Sequence, residues 1–298
     1  MSGKHLIAVG GSDAGIAAAL RARALDPGWD VTVVVADAFP NFSICGIPYY
    51  LSGEVGRWQN LAHRTAADLE ATGMALRLNT LATDIDVTGR GLIVQNPGAI
   101  TVDEQMRTTL PGVFAAGDCV VTHHRLLGQV WLPLGTTAHK QGRVAGENAV
   151  GGHREFAGSL GTQVVKVFDL VAARTGLRDQ EARSAGHGWE PVTATTTTDD
   201  HKAYYPGATP ITLSVTGDHT SGRLLGTQLI GRLGAEISQR VDTYAAALFN
   251  EMTVDQVSDL DLSHTPPLGS PWDAVQIAGQ AWTATREAAT PVPLQNTH

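Results

Sequence analysis

Residues 5–35, HLIAVGGSDAGIAAALRARALDPGWDVTVVV, constrain the fold more than any other stretch. An apolar run, Leu6 to Val9, ends in glycines. The alanine-rich stretch Ala14 to Leu25 follows, then a break at Pro27 and Gly28, then a second apolar run, Val31 to Val35. Continuous β-branched runs of this length suit parallel strands buried on both faces. Strand, helix and strand at this spacing therefore predict a βαβ unit of a doubly wound α/β sheet. The turn Gly10 to Gly15 falls where the unpaired N–H groups of a helix N-terminus would meet a nucleotide pyrophosphate. Gly10 permits the tight turn and Gly15 lets the helix approach the sheet, but Ser12 stands where the G-x-G-x-x-G pattern has glycine. Taken alone, the turn reads either as a dinucleotide site or as a structural βα turn. Asp37, just beyond the second apolar run, is the candidate acid for a ribose.

Further along, Thr65 to Thr72 reads as a helix stopped by Gly73, and Met74 to Leu78 as a strand. Val113 to Ala116 reads as another short buried strand, and Ala138 to Ala149 as a helix. From about Gly151 the texture changes. Gln163 to Phe168, Glu190 to Thr198, Ile211 to Thr216 and Leu224 to Ile230 are β-branched or alternating runs separated by turn residues, the pattern of an antiparallel sheet. Helices are predicted over Ala235 to Asn250 and Pro271 to Arg286, with Thr253 and Ser270 as N-caps. The expected segments are 1–88 and 89–150 for the first domain, 151–287 for a second, α+β domain, and a disordered tail over 288–298.

A net charge of −8 and the absence of long Lys/Arg runs argue against nucleic-acid and membrane partners. The start MSGKHLIAVGG has too short an apolar run for a signal peptide or a membrane span, so a cytoplasmic location is expected. The two cysteines, Cys45 and Cys119, fit neither a CxxC pair nor a metal cluster, and no His spacing suggests a metal.

Four blocks in order, GGSDAG, NFSICGIPYY (41–50), TTLPGVFAAGDC (108–119) and HKQGRVAGEN (139–148), resemble the FAD-dependent pyridine nucleotide-disulfide oxidoreductases. The branch they resemble has a single active-site cysteine: coenzyme A disulfide reductase, NADH oxidase and NADH peroxidase. The later GRLLGTQLIG, VDTYAAALFNEMTVDQVSDLDL and PPLGSPWDAVQIAG look like that family's C-terminal dimerisation domain. The resemblance implies an FAD-binding Rossmann-like domain followed by an α+β dimerisation domain, and a homodimer. It implies FAD contacts at Gly10, Ser12, Ala14, Gly15, Asp37, Asn41, Gly117, Asp118 and Lys140, with Asp118 on the ribityl chain. It makes Cys45 the redox thiol, cycling through a mixed disulfide with coenzyme A or a sulfenic acid, and a helix start there would favour the thiolate. For Cys119 the expectation is an inert, small buried residue. The family's assisting tyrosines have a counterpart at Tyr204 or Tyr205, whereas His264 stands where the other is common; it is either a proton-handling substitute or an ordinary loop histidine.

One family feature is missing. The segment up to Val87 looks like the family before its ATG-containing strand and NAD(P)H domain, and Gly91 onward looks like it after them, with only Thr88, Gly89 and Arg90 between. No second GxGxxG occurs. The expected function is an FAD-dependent oxidoreductase acting through Cys45 on a small disulfide such as that of coenzyme A, a persulfide or a peroxide, with electrons from a separate reductase or from transiently bound NADH. The alternative is a non-catalytic flavin-binding or dimerisation scaffold. A simple NAD-dependent dehydrogenase is disfavoured, because the one nucleotide loop is tied by the resemblance to FAD.

Overall fold

The computed structural model describes residues 4–84, 94–95 and 98–289. The expected junction at Thr88 to Arg90 and most of the expected tail lie outside them. The chain divides into two compact units, one of Met1–His123 with Gln129–Gly158, the other of His124–Gly128 with Ser159–His298. The second thus begins in the main at Ser159, past the position 151 expected from composition.

In the first unit, β1 (His5–Val9) pairs in parallel with β2 (Asp30–Val34), and β2 with β3 (Ala75–Arg77), giving a Rossmann-like order β1-β2-β3. Leu6, Ala8, Val31, Val33 and Leu76 fall on one face and join Ile16, Ala19 and Ala22 of α1 (Asp13–Leu25) in one apolar cluster. A short α2 (Ile47–Leu51) and α3 (Ala66–Glu70) follow β2, the latter started by a capping box between Thr65 and Asp68. The small ladders β4 (Val94–Gln95) with β5 (Ala99–Ile100), and β6 (Thr122–His124) with β7 (Gly128–Val130), precede α4 (Gly135–Ala149). The predicted strand Val113 to Ala116 is corrected: it is half-buried irregular chain, with one isolated bridge between Arg107 and Phe114. Among the described residues β1 pairs with β2 alone, and Ile7 and Val9 on its other face are 58% and 56% exposed. The periodicity of Val113 to Ala116 reflects packing against Met106, Val144 and Phe156 instead of a ladder.

The second unit is a five-stranded antiparallel sheet, β10-β11-β12-β9-β8, built from β8 (Gln163–Val167), β9 (Leu170–Gly176), β10 (Pro191–Asp199), β11 (Pro210–Asp218) and β12 (Leu224–Arg232). A short α5 (Asp179–Ser184) lies between β9 and β10. Ile211, Leu213, Val215 and Leu229 pack with Ile237, Val241 and Tyr244 of α6 (Ile237–Phe249), Val254 and Val257 of α7 (Val254–Ser258), and Trp282 of α8 (Ala274–Ala289). Thr253 caps α7 as expected. Ser270 does not cap α8: Asp273 takes that place, accepting from Val275 N–H (3.0 Å) while its own N–H donates to Gln276 (3.1 Å). No described helix is long and apolar enough to cross a membrane.

Candidate functional site

The glycine turn is held by close backbone approach. Gly10 has φ 115°, and a Cβ on Gly15 would lie 2.0 Å from the Gly10 carbonyl oxygen, so both positions exclude a side chain. Ser12 is the N-cap residue of α1 by position, but its side chain makes no capping bond. The first-turn N–H groups are therefore available to an anion, and the helix dipole favours one there.

Segment 117–118 is brought against this turn. Gly117, with φ 88°, donates its N–H to Gln141 Oε1 at 2.9 Å, and a Cβ on it would sit 3.0 Å from the Ala14 Cβ. Asp118 is exposed just beyond, its carbonyl accepting from Trp131 Nε1 at 2.8 Å. Gln141 is fully buried and also donates to Thr122 Oγ1 at 3.2 Å; the sequence reading missed it. A polar residue at a core position of a helix was the available signal. This cradle of Gly10, Ala14, Gly15 and Gly117 fits a diphosphate. Asp37 sits past the end of β2, where its carboxylate accepts the Phe39 N–H at 2.7 Å and leaves oxygen capacity for a ribose hydroxyl.

The cysteine segment is fastened to the same turn. Asn41, with φ 55° and only 1% exposed, donates its N–H to the Gly11 carbonyl at 2.6 Å and accepts from His63 N–H at 2.9 Å. Cys45 is exposed in a single 3-10 turn, Ile44–Gly46, leading into the five-residue α2. The expected helix start is thus one short turn. Cys119 is not the buried residue expected: it is surface-exposed, although desolvation of its sulfur, turned to the Ala116 carbonyl at 3.5 Å, pushes its pKa up.

Beside Asn41 opens a cavity of about 530 Å³, lined by Ala17, Leu20 and Arg21 of α1, by Arg64, and by His139, Lys140 and Arg143 of α4. It joins two expected cofactor residues, Asn41 and Lys140, with cations the sequence reading did not select. Arg21 is neutralised by Glu147 at 2.6 Å and His139 faces Asp13 at 3.2 Å. Arg64, Lys140 and Arg143 have no ion-pair partner among the described residues, which leaves the walls positive. Asn41 Oδ1 is buried without a donor among the described residues, an arrangement that costs about 1–3 kcal/mol unless a ligand or water meets it. The pocket suits a phosphate-bearing ligand with hydrogen-bond donors.

In the second unit, Tyr204 and Tyr205 are exposed, and Tyr205 sets its ring edge-on to His201 at 5.8 Å. Their loop is tied to that of His264 by a bond from Lys202 N–H to the Pro266 carbonyl at 3.3 Å. His264 is exposed.

Comparison with known proteins matches residues 88–142 to the pyridine nucleotide-disulphide oxidoreductase family and residues 162–274 to the pyridine nucleotide-disulphide oxidoreductase dimerisation domain. An NAD(P)H sulfur oxidoreductase (CoA-dependent) of Pyrococcus furiosus is 39% identical over 184 residues, 61% of this chain and 40% of that protein. A coenzyme A disulfide reductase of Staphylococcus aureus is 30% identical over 184 residues, 61% of this chain and 41% of its own length. The matched stretch thus spans about two fifths of these relatives. Among solved structures, an NAD-dependent persulfide reductase from A. fulgidus superposes with TM-score 0.89 at 23% identity, covering 97% of this chain and 86% of the other. A water-forming NADH oxidase from Lactobacillus brevis gives TM-score 0.86 at 18% identity, covering 96% of this chain and 99% of the other. At these identities the two structures speak to the fold.

Proposed function

Since the chain belongs to the pyridine nucleotide-disulphide oxidoreductase family, we propose that it is a homodimeric FAD-binding oxidoreductase that uses Cys45 on the disulfide or persulfide of a phosphate-bearing thiol of the coenzyme A class. The observation that carries the reading is the positive cavity walled by Asn41, Arg64, Lys140 and Arg143, with Asn41 standing four residues before the exposed Cys45. The phosphates of such a thiol would meet the three unpaired cations, and its amide N–H groups suit the Asn41 acceptor.

Gly10, Ser12, Ala14, Gly15, Gly117, Asp118 and Asp37 would hold the FAD. When bound, that group exchanges electron pairs with sulfur. The chain's own step is thiol–disulfide exchange: the Cys45 thiolate attacks one sulfur of R–S–S–R′, the S–S bond breaks, R′S⁻ leaves and takes a proton, and Cys45–S–S–R remains. Two electrons from a separate reductase, with one proton, would then break the Cys45–S–S–R bond, releasing RS⁻ and restoring the Cys45 thiol. Tyr204, Tyr205 and His264 are proposed to act across the dimer interface, each chain's set serving the leaving thiolate at the other chain's Cys45 as proton donors.

The exposure of Ile7 and Val9 on β1, which has no strand beyond it among the described residues, favours a second reading, in which the chain keeps the scaffold without a competent flavin site. One experiment separates the two. The visible spectrum of purified protein gives its FAD content, and anaerobic NADH is then added. Near-stoichiometric flavin that stays oxidised with NADH alone, yet bleaches on adding a reductase, supports the enzyme reading. Absence of flavin even after incubation with FAD would establish the scaffold.

A further inference from the structure

Asp13 is the first residue of α1 and the acid of its first turn. It stands between Ser12 and Ala14, within the turn whose free N–H groups and positive helix end would receive the FAD diphosphate. The preference of such a site for anions cuts both ways. A resident carboxylate there draws on the same partial positive charge as the diphosphate and repels it.

The carboxylate is held in place by α4. That helix starts at Gly135 behind Leu134, so it has no side-chain cap and no acid in its own first turn. Asp13 comes into this gap: a Cβ on Gly135 would lie 3.1 Å from its Oδ2. Its Oδ1 stands 3.2 Å from Nε2 of His139, one turn further along α4, the one ion-pair partner of Asp13 among the described residues. The other cations nearby are directed elsewhere, Arg21 to Glu147, and Lys140 and Arg143 to the cavity. The Asp13 side chain is 24% exposed, so solvent screens it only in part. One carboxylate therefore braces the starts of two helices and sits in the turn that fits a bound anion.

We propose that Asp13 is the residue that limits the affinity for FAD: its charge opposes the diphosphate at the start of α1, and His139 relieves that opposition by pairing with it. The inference rests on the FAD site of the proposed function and adds the two residues that set its strength. Stability and affinity then pull apart at one position. Removing the charge should loosen the helix starts and tighten the cofactor, whereas an acid with a bracing role alone would lose both together.

The test is titration of the flavin-free full chain with FAD, followed by flavin fluorescence, beside its melting temperature without FAD. Asp13→Asn is expected to bind FAD about tenfold more tightly than wild type and to melt at a lower temperature. The gain should shrink at high salt, where charges are screened. His139→Ala, at an exposed helix position, is expected to weaken FAD binding about threefold. In the Asp13→Asn background the same change should have no effect, because the charge it relieves is gone. Wild type that binds FAD at least as tightly as Asp13→Asn overturns the inference and leaves the FAD site standing, and so does a His139→Ala loss that is equal in both backgrounds. Absence of FAD binding in wild type and Asp13→Asn alike overturns both.

Discussion

Gly142 of α4 packs so closely on Ala14 of α1 that a Cβ on it would lie 2.2 Å from the Ala14 carbonyl oxygen. One turn on, a Cβ on Gly146 would lie 2.1 Å from the Ala18 carbonyl oxygen. The two helices meet backbone to backbone, and this contact sets where Gln141 holds Gly117 against the glycine turn. Because backbone cannot swing aside as a side chain can, Gly142→Ala should cost about 2 kcal/mol or more through overpacking. A lower melting temperature and a weaker FAD dissociation constant than in wild type are the expected results; an unchanged pair of values would mean the helices are free to separate.

Cys45→Ser should remove thiol–disulfide turnover and leave the flavin content as in wild type, because the thiol belongs to a surface turn and not to the glycine cradle. Turnover of coenzyme A disulfide with reduced flavin, measured on both proteins, decides the matter. Full activity in the variant would exclude Cys45 from the mechanism.

Neutralising the pocket should be selective for phosphates. Lys140→Ala and Arg143→Ala are each expected to weaken coenzyme A binding by about tenfold, which is about 1.4 kcal/mol, with little effect on pantetheine, which lacks the phosphates. Calorimetric titration at two salt concentrations provides the check, since exposed charges are screened. Equal losses for both ligands would point to a collapsed pocket.

The second unit carries an acid-sensitive ion cluster. Burial works against the charge on Glu181, but hydrogen bonds from Arg174, from Arg178 and from the Arg178 backbone outweigh it and hold the carboxyl at about 2. A depressed folded pKa stabilises above the unfolded value of 4.5 and loses that contribution as pH falls from there towards 2. Glu181→Gln is expected to cost about 1–2 kcal/mol at neutral pH, allowing for solvent screening. Denaturant melts should show the gap between variant and wild type closing between pH 5 and pH 2, in order-of-magnitude agreement with that linkage. A gap independent of pH would assign the loss to packing.

Much of the fold was legible because it is written in local periodicity. The βαβ start, four of the five antiparallel strands and the Thr253 cap follow from residues adjacent in sequence, whereas β9, Leu170–Gly176, is not among the runs that read as strands. Val113 to Ala116 misled for the same reason. Its apolar run has strand character, yet its backbone pairs with residues 106–108 through one isolated bridge only, and its side chains pack on Met106 and α4. Ser270 failed as a cap because Asp273 lies nearer the first turn of α8 and can reach Val275 N–H. Gln141 was overlooked because its partners, Gly117 and Thr122, are remote in sequence.

By itself the sequence determined the class of fold, the glycine turn, the isolated thiol and the family they resemble, since each depends on short-range spacing that chain chemistry dictates. Only the tertiary structure decided that Asn41 fastens the cysteine segment to Gly11 and that Arg64, Lys140 and Arg143 share one cavity. It alone decided that Asp13 meets both His139 and the start of α4. These are juxtapositions of distant residues, created when buried apolar surface brings helices and strands together, and no local pattern encodes which cations or rings that packing leaves side by side.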